Sequence, residues 1–157
     1  MRPAIPEPPY EGGCLCGAVR YRIEARPIGV NACHCRDCQK LTGATNLVMA
    51  IFERAAFAKT QGETQVWRKR ADSGREVDIE RCAACGTRLW HEPLAAANLV
   101  YVAAGALDDP SWAVPASHIW VEKRLPHAFI QADAVQVEGQ PAEREALFEA
   151  FRRLYPE

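Results

Sequence analysis

Cys33-His34-Cys35-Arg36-Asp37-Cys38 places three thiols within six residues. A buried free cysteine packs as a small hydrophobe, but Arg36 and Asp37 interrupt this run, so packing alone does not account for it. One C-x-x-C is compatible with a redox pair. A third cysteine two residues upstream fits better with a loop folded around a soft metal ion, its sulfurs converging. Zinc is the default ion for such thiolates, tetrahedral with Zn–S bonds of about 2.3 Å. The stretch brings three ligands to an ion that takes four.

Two further motifs carry the remaining thiols. Gly12-Gly13-Cys14-Leu15-Cys16-Gly17 frames a C-x-C with glycines, which allow positive φ and close approach of amides to sulfur. Cys82-Ala83-Ala84-Cys85-Gly86 is a C-x-x-C followed by glycine, a zinc-knuckle turn. Seven cysteines are an odd, clustered set, whereas a secreted disulfide framework more often has an even number spread along the chain. Metal ligation is therefore the expectation. The economical partition joins Cys14, Cys16, Cys82 and Cys85 as a closed structural site and leaves Cys33, Cys35 and Cys38 as a set of three. The other partition pairs thiols of the triplet with the late knuckle and leaves Cys14 and Cys16 out. The triplet is completed either by a side chain, such as His34, His91 or His118, or by an exchangeable ligand. An exchangeable position is what separates catalytic from structural zinc.

At 157 residues the chain is expected to form one domain with a real core. Hydrophobic residues at 48% and charged residues at 25% are globular values. A formal net charge of −1 leaves no electrostatic footprint for nucleic acid or an anionic membrane. Met1-Arg2-Pro3 leads into prolines rather than an apolar signal segment, and the longest uncharged run, Pro93 to Leu107, is too short for a span of roughly 18–20 residues. A cytoplasmic protein is expected.

Outward from the central loop, the pattern is mostly strands. Residues 1–10, with Pro3, Pro6, Pro8 and Pro9, read as a flexible tail, and 11–157 as a single zinc-binding domain. Ala18 to Ile23 alternates as a half-buried strand, and a second short strand from Val30 leads into the cysteines. Gln39 to Thr42 suits one helical turn ending at Gly43. Asn46 to Phe52 reads as a buried strand, Phe57 to Lys59 and Gln65 to Lys69 as strands turning at Gly62, and Asp72-Ser73-Gly74 as a turn before Glu76 to Glu80. Thr87 to Trp90, Leu99 to Ala104 and Ser117 to Val121 continue a meander-like, antiparallel order. From Pro141, a first-position proline, early Glu143 and Glu145, and late Arg152 and Arg153 predict an amphipathic helix. It would close over the sheet or over the partner of a homodimer.

The three cysteine motifs, with Gln39-Lys40 and Thr42-Gly43 after the central one, resemble the glutathione-dependent formaldehyde-activating enzyme family, which includes centromere protein V. Thr87-Arg88-Leu89-Trp90, Gly105 and Ser117-His118-Ile119-Trp120-Val121 extend the resemblance, which covers about residues 10 to 125. It implies a mainly β fold of stacked antiparallel sheets, the Mss4-like or β-tent fold, here with a C-terminal α-helix. It also implies a structural zinc at Cys14, Cys16, Cys82 and Cys85 and a catalytic zinc at Cys33, Cys35 and Cys38. The implied activity is a carbon–sulfur lyase reaction, joining formaldehyde and glutathione reversibly into S-hydroxymethylglutathione. Members commonly carry Pro-Trp where this chain reads Arg124-Leu125-Pro126-His127, and the helix from Pro141 does not map onto the family pattern.

Arg36 and Lys40 flank the central loop as cationic candidates for the carboxylates of a glutathione-like cosubstrate. Asp37 either orients a ligand from behind or caps the following turn. A rival reading is a zinc-stabilised binding module without turnover, and a third is a redox or metal-buffering protein using the triplet.

Overall fold

A computed structural model describes residues 2–71 and 74–156, so the turn expected at Asp72-Ser73 lies outside the described residues. Strands β1 (Tyr10–Gly13), β2 (Arg20–Ile23) and β3 (Gly29–Cys33) precede helix α1 (Arg36–Thr42). Then come β4 (Leu47–Glu53), β5 (Phe57–Gln61), β6 (Thr64–Arg70), β7 (Glu76–Cys82), β8 (Arg88–Pro93) and β9 (Leu99–Ala103). The chain ends with β10 (Ser117–Ile119), β11 (Val135–Val137) and helix α2 (Glu145–Leu154). These eleven strands of the described residues lie in two sheets, the mainly β architecture that the resemblance implies, followed by the C-terminal helix expected from its amphipathic pattern.

The chain divides into two compact units. One comprises Met1–Ile5, Ile28–Ala50 and Ser111–Glu157, and the other Pro6–Pro27 and Ile51–Pro110. In the first, strand order is β11-β10-β3-β4. Here the meander expectation needs correction, because β10 runs parallel to both neighbours, with Ile119 beside Cys33 and His118 beside Ala32. The long connection from β3 to β10 permits this, whereas the short connections within β1–β2, β6–β7, β7–β8 and β8–β9 suit antiparallel pairs. Helix α2 packs on β3 and β10 through Leu147, Ala150 and Phe151, spaced as one helical stripe. It starts at Glu145 rather than Pro141, which is buried ahead of the first turn. Arg2 is tied into this unit, its guanidinium donating to Asp133 at 2.7 and 2.8 Å and to the Pro115 carbonyl at 2.8 Å. Ile5 is buried.

In the second unit, β9-β8-β7-β6 form an antiparallel run, and β1-β2-β5 make a three-stranded antiparallel sheet. Alternation along β2 buries Tyr21 and Ile23 and turns Arg20 and Arg22 outward. Tyr21 stacks on Phe57 with centroids 5.4 Å apart and meets Trp90 of β8 edge-on at 5.9 Å, so the two sheets share an aromatic core. Gly62 turns β5 into β6 at φ 85°, and a Cβ there would collide with the Ala18 carbonyl. β1 was hidden in the sequence by the glycines of the first knuckle. No helix of the described residues is long and apolar enough to cross a membrane.

Candidate metal centres

Cys14, Cys16, Cys82 and Cys85 come together in the second unit, all four sulfurs within 4.8 Å of one another. Two knuckle turns deliver them. In the first, Val19 N–H donates to Cys14 Sγ at 3.2 Å, Gly17 N–H to the Cys14 carbonyl at 3.0 Å, and Gly17 takes φ 77°. In the second, Cys85 N–H donates to Cys82 Sγ at 3.5 Å, Gly86 N–H to the Cys82 carbonyl at 3.0 Å, and Gly86 also takes φ 77°. The turns meet with Sγ separations of 3.5 Å for Cys14–Cys16 and 3.8 Å for Cys16–Cys82. A tetrahedron with Zn–S bonds of ~2.3 Å has edges of about 3.8 Å. The four thiols therefore fit zinc without rearrangement.

Their charges need a cation. The Thr87 hydroxyl, then its backbone, brings Cys85 down to about 5. Against the Ala18 N–H, which lowers it, the sulfurs of Cys14 and Cys85 raise Cys16 to about 11. One thiolate forms readily and its neighbour resists, as crowded anions must without a dication between them.

Cys33, Cys35 and Cys38 form the second cluster, in the first unit, also with sulfurs within 4.8 Å. Cys33 ends β3. Cys35 is the N-cap of α1, its backbone extended at φ −62° and ψ 154° and its sulfur accepting from Cys38 N–H at 3.3 Å. The cap is therefore Cys35, not Asp37, which lies in the first helical turn. Cys35 and then Cys38, followed by burial, hold the Cys33 thiol far above its ordinary value. Three anions do not coexist here unaided, so this donor set too fits a soft dication. No histidine or carboxylate joins the cluster among the described residues. His91 sits in β8 of the other unit, accepting at Nε2 from Arg88 Nε at 2.7 Å. His34 and His118 bind each other instead, Nε2 to Nδ1 at 2.8 Å.

A family model described as glutathione-dependent formaldehyde-activating enzyme matches residues 9–123, well over half of the sequence. The chain belongs to that family. A relative from Halomonas elongata, provisionally named a glutathione-dependent formaldehyde-activating enzyme, is 28% identical over 140 residues, covering 85% of this chain and 84% of its own. A crystal structure of a Rhodobacter sphaeroides protein has the same fold, with a TM-score of 0.51 at 17% identity over 62% of this chain and 87% of that one. The formaldehyde-activating match contains all seven cysteines and stops at Lys123, so Gln131, β11 and α2 lie beyond it.

Arg36 and Lys40 are exposed on α1, beside the triplet, and the Arg36 guanidinium donates to Gln39 Oε1. Gln39 is a site residue that spacing did not reveal. Buried on α1, it donates from Nε2 to the His34 carbonyl at 2.7 Å and the Lys123 carbonyl at 3.0 Å. Lys123 reaches it because Trp120 ends β10 in the left-handed region at φ 57°, a strained setting for a bulky residue.

Proposed function

We propose that this protein is a zinc-dependent carbon–sulfur lyase that interconverts an aldehyde and a glutathione-like thiol with their S-hydroxymethyl-type adduct. The observation that supports it is the contrast between the clusters: four thiols make a complete tetrahedral set, while three thiols have no fourth side-chain donor among the described residues. Membership of the formaldehyde-activating family supplies the substrate class, and 11–157 acts as one catalytic zinc-binding domain in this reading. Seven free thiols suit a reducing, cytoplasmic setting.

Cys14, Cys16, Cys82 and Cys85 would hold a structural zinc, and Cys33, Cys35 and Cys38 a catalytic one. A zinc held there would supply Lewis acidity and would lower the pKa of a cosubstrate thiol. In the forward direction the C–S bond forms, the carbonyl π bond opens, and the proton lost from sulfur ends on the carbonyl oxygen. Arg36 and Lys40 bind the cosubstrate's carboxylates, placing its sulfur beside the loop. Gln39 fixes the Arg36 guanidinium and pins the loop through the His34 carbonyl.

Exchange of formaldehyde between free and glutathione-bound pools, followed by NMR above the buffer rate, tests this directly. Cys35→Ser is expected to remove the acceleration while the protein stays folded with one tightly held zinc. A wild type that never accelerates exchange sends the chain to the binding-module reading, and a Cys35→Ser protein that still does removes the triplet from the reaction.

A further inference from the structure

His34 lies between two cysteines of the triplet, is fully buried, and is nevertheless the start of a polar chain that leaves the cluster. Its Nε2 is 2.8 Å from His118 Nδ1, and His118 Nε2 is 2.7 Å from Gln131 Oε1. The two rings overlap with centroids 5.1 Å apart and planes at 28°. A carboxamide oxygen can only accept, so His118 must carry its proton on Nε2. Its Nδ1 is then a lone pair, and His34 must in turn donate from Nε2. His34 Nδ1 is left unprotonated, a buried acceptor for which the described residues provide no donor. A buried acceptor left unsatisfied is destabilising, so the arrangement is not one that packing alone would retain.

The rest of His34 is equally tied. Its N–H donates to the Ile119 carbonyl at 3.0 Å and its carbonyl accepts from Gln39. The conformation of Cys33-His34-Cys35 is thus held by Ile119 and by Gln39, which the Lys123 carbonyl fixes in turn.

We infer that His118 and Gln131 are positioning residues of the three-cysteine centre, fixing the His34 ring, and with it the Cys33-His34-Cys35 backbone, through the Nε2 bond to His118. Gln131 thereby sets the polarity of the chain. A donor facing His118 there would reverse every bond of the chain and put the proton on His34 Nδ1. This extends the proposed function, and rests on it only in taking the triplet as the reacting site. It concerns Gln131, which lies outside the part of the chain that the family model matches.

The test uses the zinc-loaded full chain. Nitrogen-15 NMR of labelled histidine should show both His34 and His118 as Nε2–H tautomers; an Nδ1–H on either ring overturns the inference. Gln131 is half-buried, so its variants should leave folding intact. Gln131→Glu keeps an acceptor and should hold the triplet metal within about twofold of wild type. Gln131→Met keeps the length but not the acceptor, and should weaken it roughly tenfold, the low end for residues behind a metal's ligands. Zinc competition with a chromophoric chelator and the cobalt–thiolate charge-transfer band report this without any assay of turnover. Met holding metal like wild type, or Met and Glu losing it equally, overturns the inference and leaves the lyase reading standing. Loss of exchange activity with the expected tautomers and metal affinities would do the reverse.

Discussion

Removing one metal ligand should cost very different amounts of stability at the two centres, and the difference can be worked from chain connectivity. Cys16 and Cys82 are 66 positions apart, so an ion bridging them closes a long loop. The chain-entropy expression for a cross-link of that span gives about 4 kcal/mol. Cys33 and Cys38 are five positions apart. The same expression gives only about 2 kcal/mol, and part of that is already secured by the α1 turn and the Gln39 bond to His34. Against a total stability of roughly 5–15 kcal/mol, the first loss is severe and the second tolerable.

Cys82→Ser and Cys35→Ser make the comparison at nearly constant side-chain size. For a chain of this length about 1 kcal/mol moves the melting temperature by ~2–4 °C. Cys82→Ser should therefore melt roughly 8–16 °C below wild type, or fail to fold, and Cys35→Ser within about 6 °C. Calorimetry with metal content measured on the same samples decides it. Equal losses in the two variants, or a Cys82→Ser protein with wild-type melting and zinc content, refute the assignment of structural and catalytic roles.

Three further outcomes are expected. Burial first, then the Arg88 and Lys69 charges, push His91 down to about 3, below the ~6.5 of an unfolded chain, so the unfolded state takes up the proton first and stability falls as pH drops through that window. Between pH 7 and pH 5 this amounts to about 2 kcal/mol in urea titrations; His91→Asn should lack that loss, and equal slopes would contradict the assignment. Arg36→Ala and Lys40→Ala should raise KM for the thiol cosubstrate with kcat and zinc content preserved, and unchanged KM in both returns these residues to solvent. Gly62→Ala, forced into φ 85° against the Ala18 carbonyl, should lose about 1–3 kcal/mol in the same urea assay, and a neutral result would mean the β5–β6 turn rearranges freely.

Much of this was legible because cysteine spacing and strand alternation are local signals. All seven ligand candidates and most strands of the second unit follow from residues a few positions apart, whereas the four-and-three partition joins residues 66 positions apart, and two partitions stayed open in the sequence. What sequence reading missed depends on distant partners. β11 has three residues, too few to show a period, and exists because it lies beside β10. The parallel pairing of β10 with β3 has no local signature at all. Gln39 was read only within a helical turn and the family motif, and His118 as one candidate fourth ligand; their bonds to the Lys123 carbonyl and Gln131 depend on residues far along the chain.

The two C-x-x-C segments show how little sequence separates the centres. Each makes the same turn: the second cysteine's N–H donates to the first sulfur, and the next residue's N–H to the first carbonyl, at 3.1 Å for Gln39 and 3.0 Å for Gly86. The residue after the second cysteine then decides the outcome. Gly86 enters the left-handed region, the chain doubles back so that Cys82 N–H meets the Thr87 carbonyl, and β8 begins. This hairpin brings buried Cys82 and exposed Cys85 together, and the Cys14-Leu15-Cys16 knuckle completes the set of four. Gln39 has a Cβ and stays right-handed, so the turn runs on as α1 until Gly43 at φ 66° ends it. A helix returns no second strand, and no second knuckle reaches Cys33, Cys35 and Cys38 among the described residues. Its buried glutamine ties the loop to His34 and Lys123 instead. A glycine in place of Gln39 would remove both the helix start and that tie. One residue after the same motif thus separates a set of four converging thiols from a set of three among the described residues.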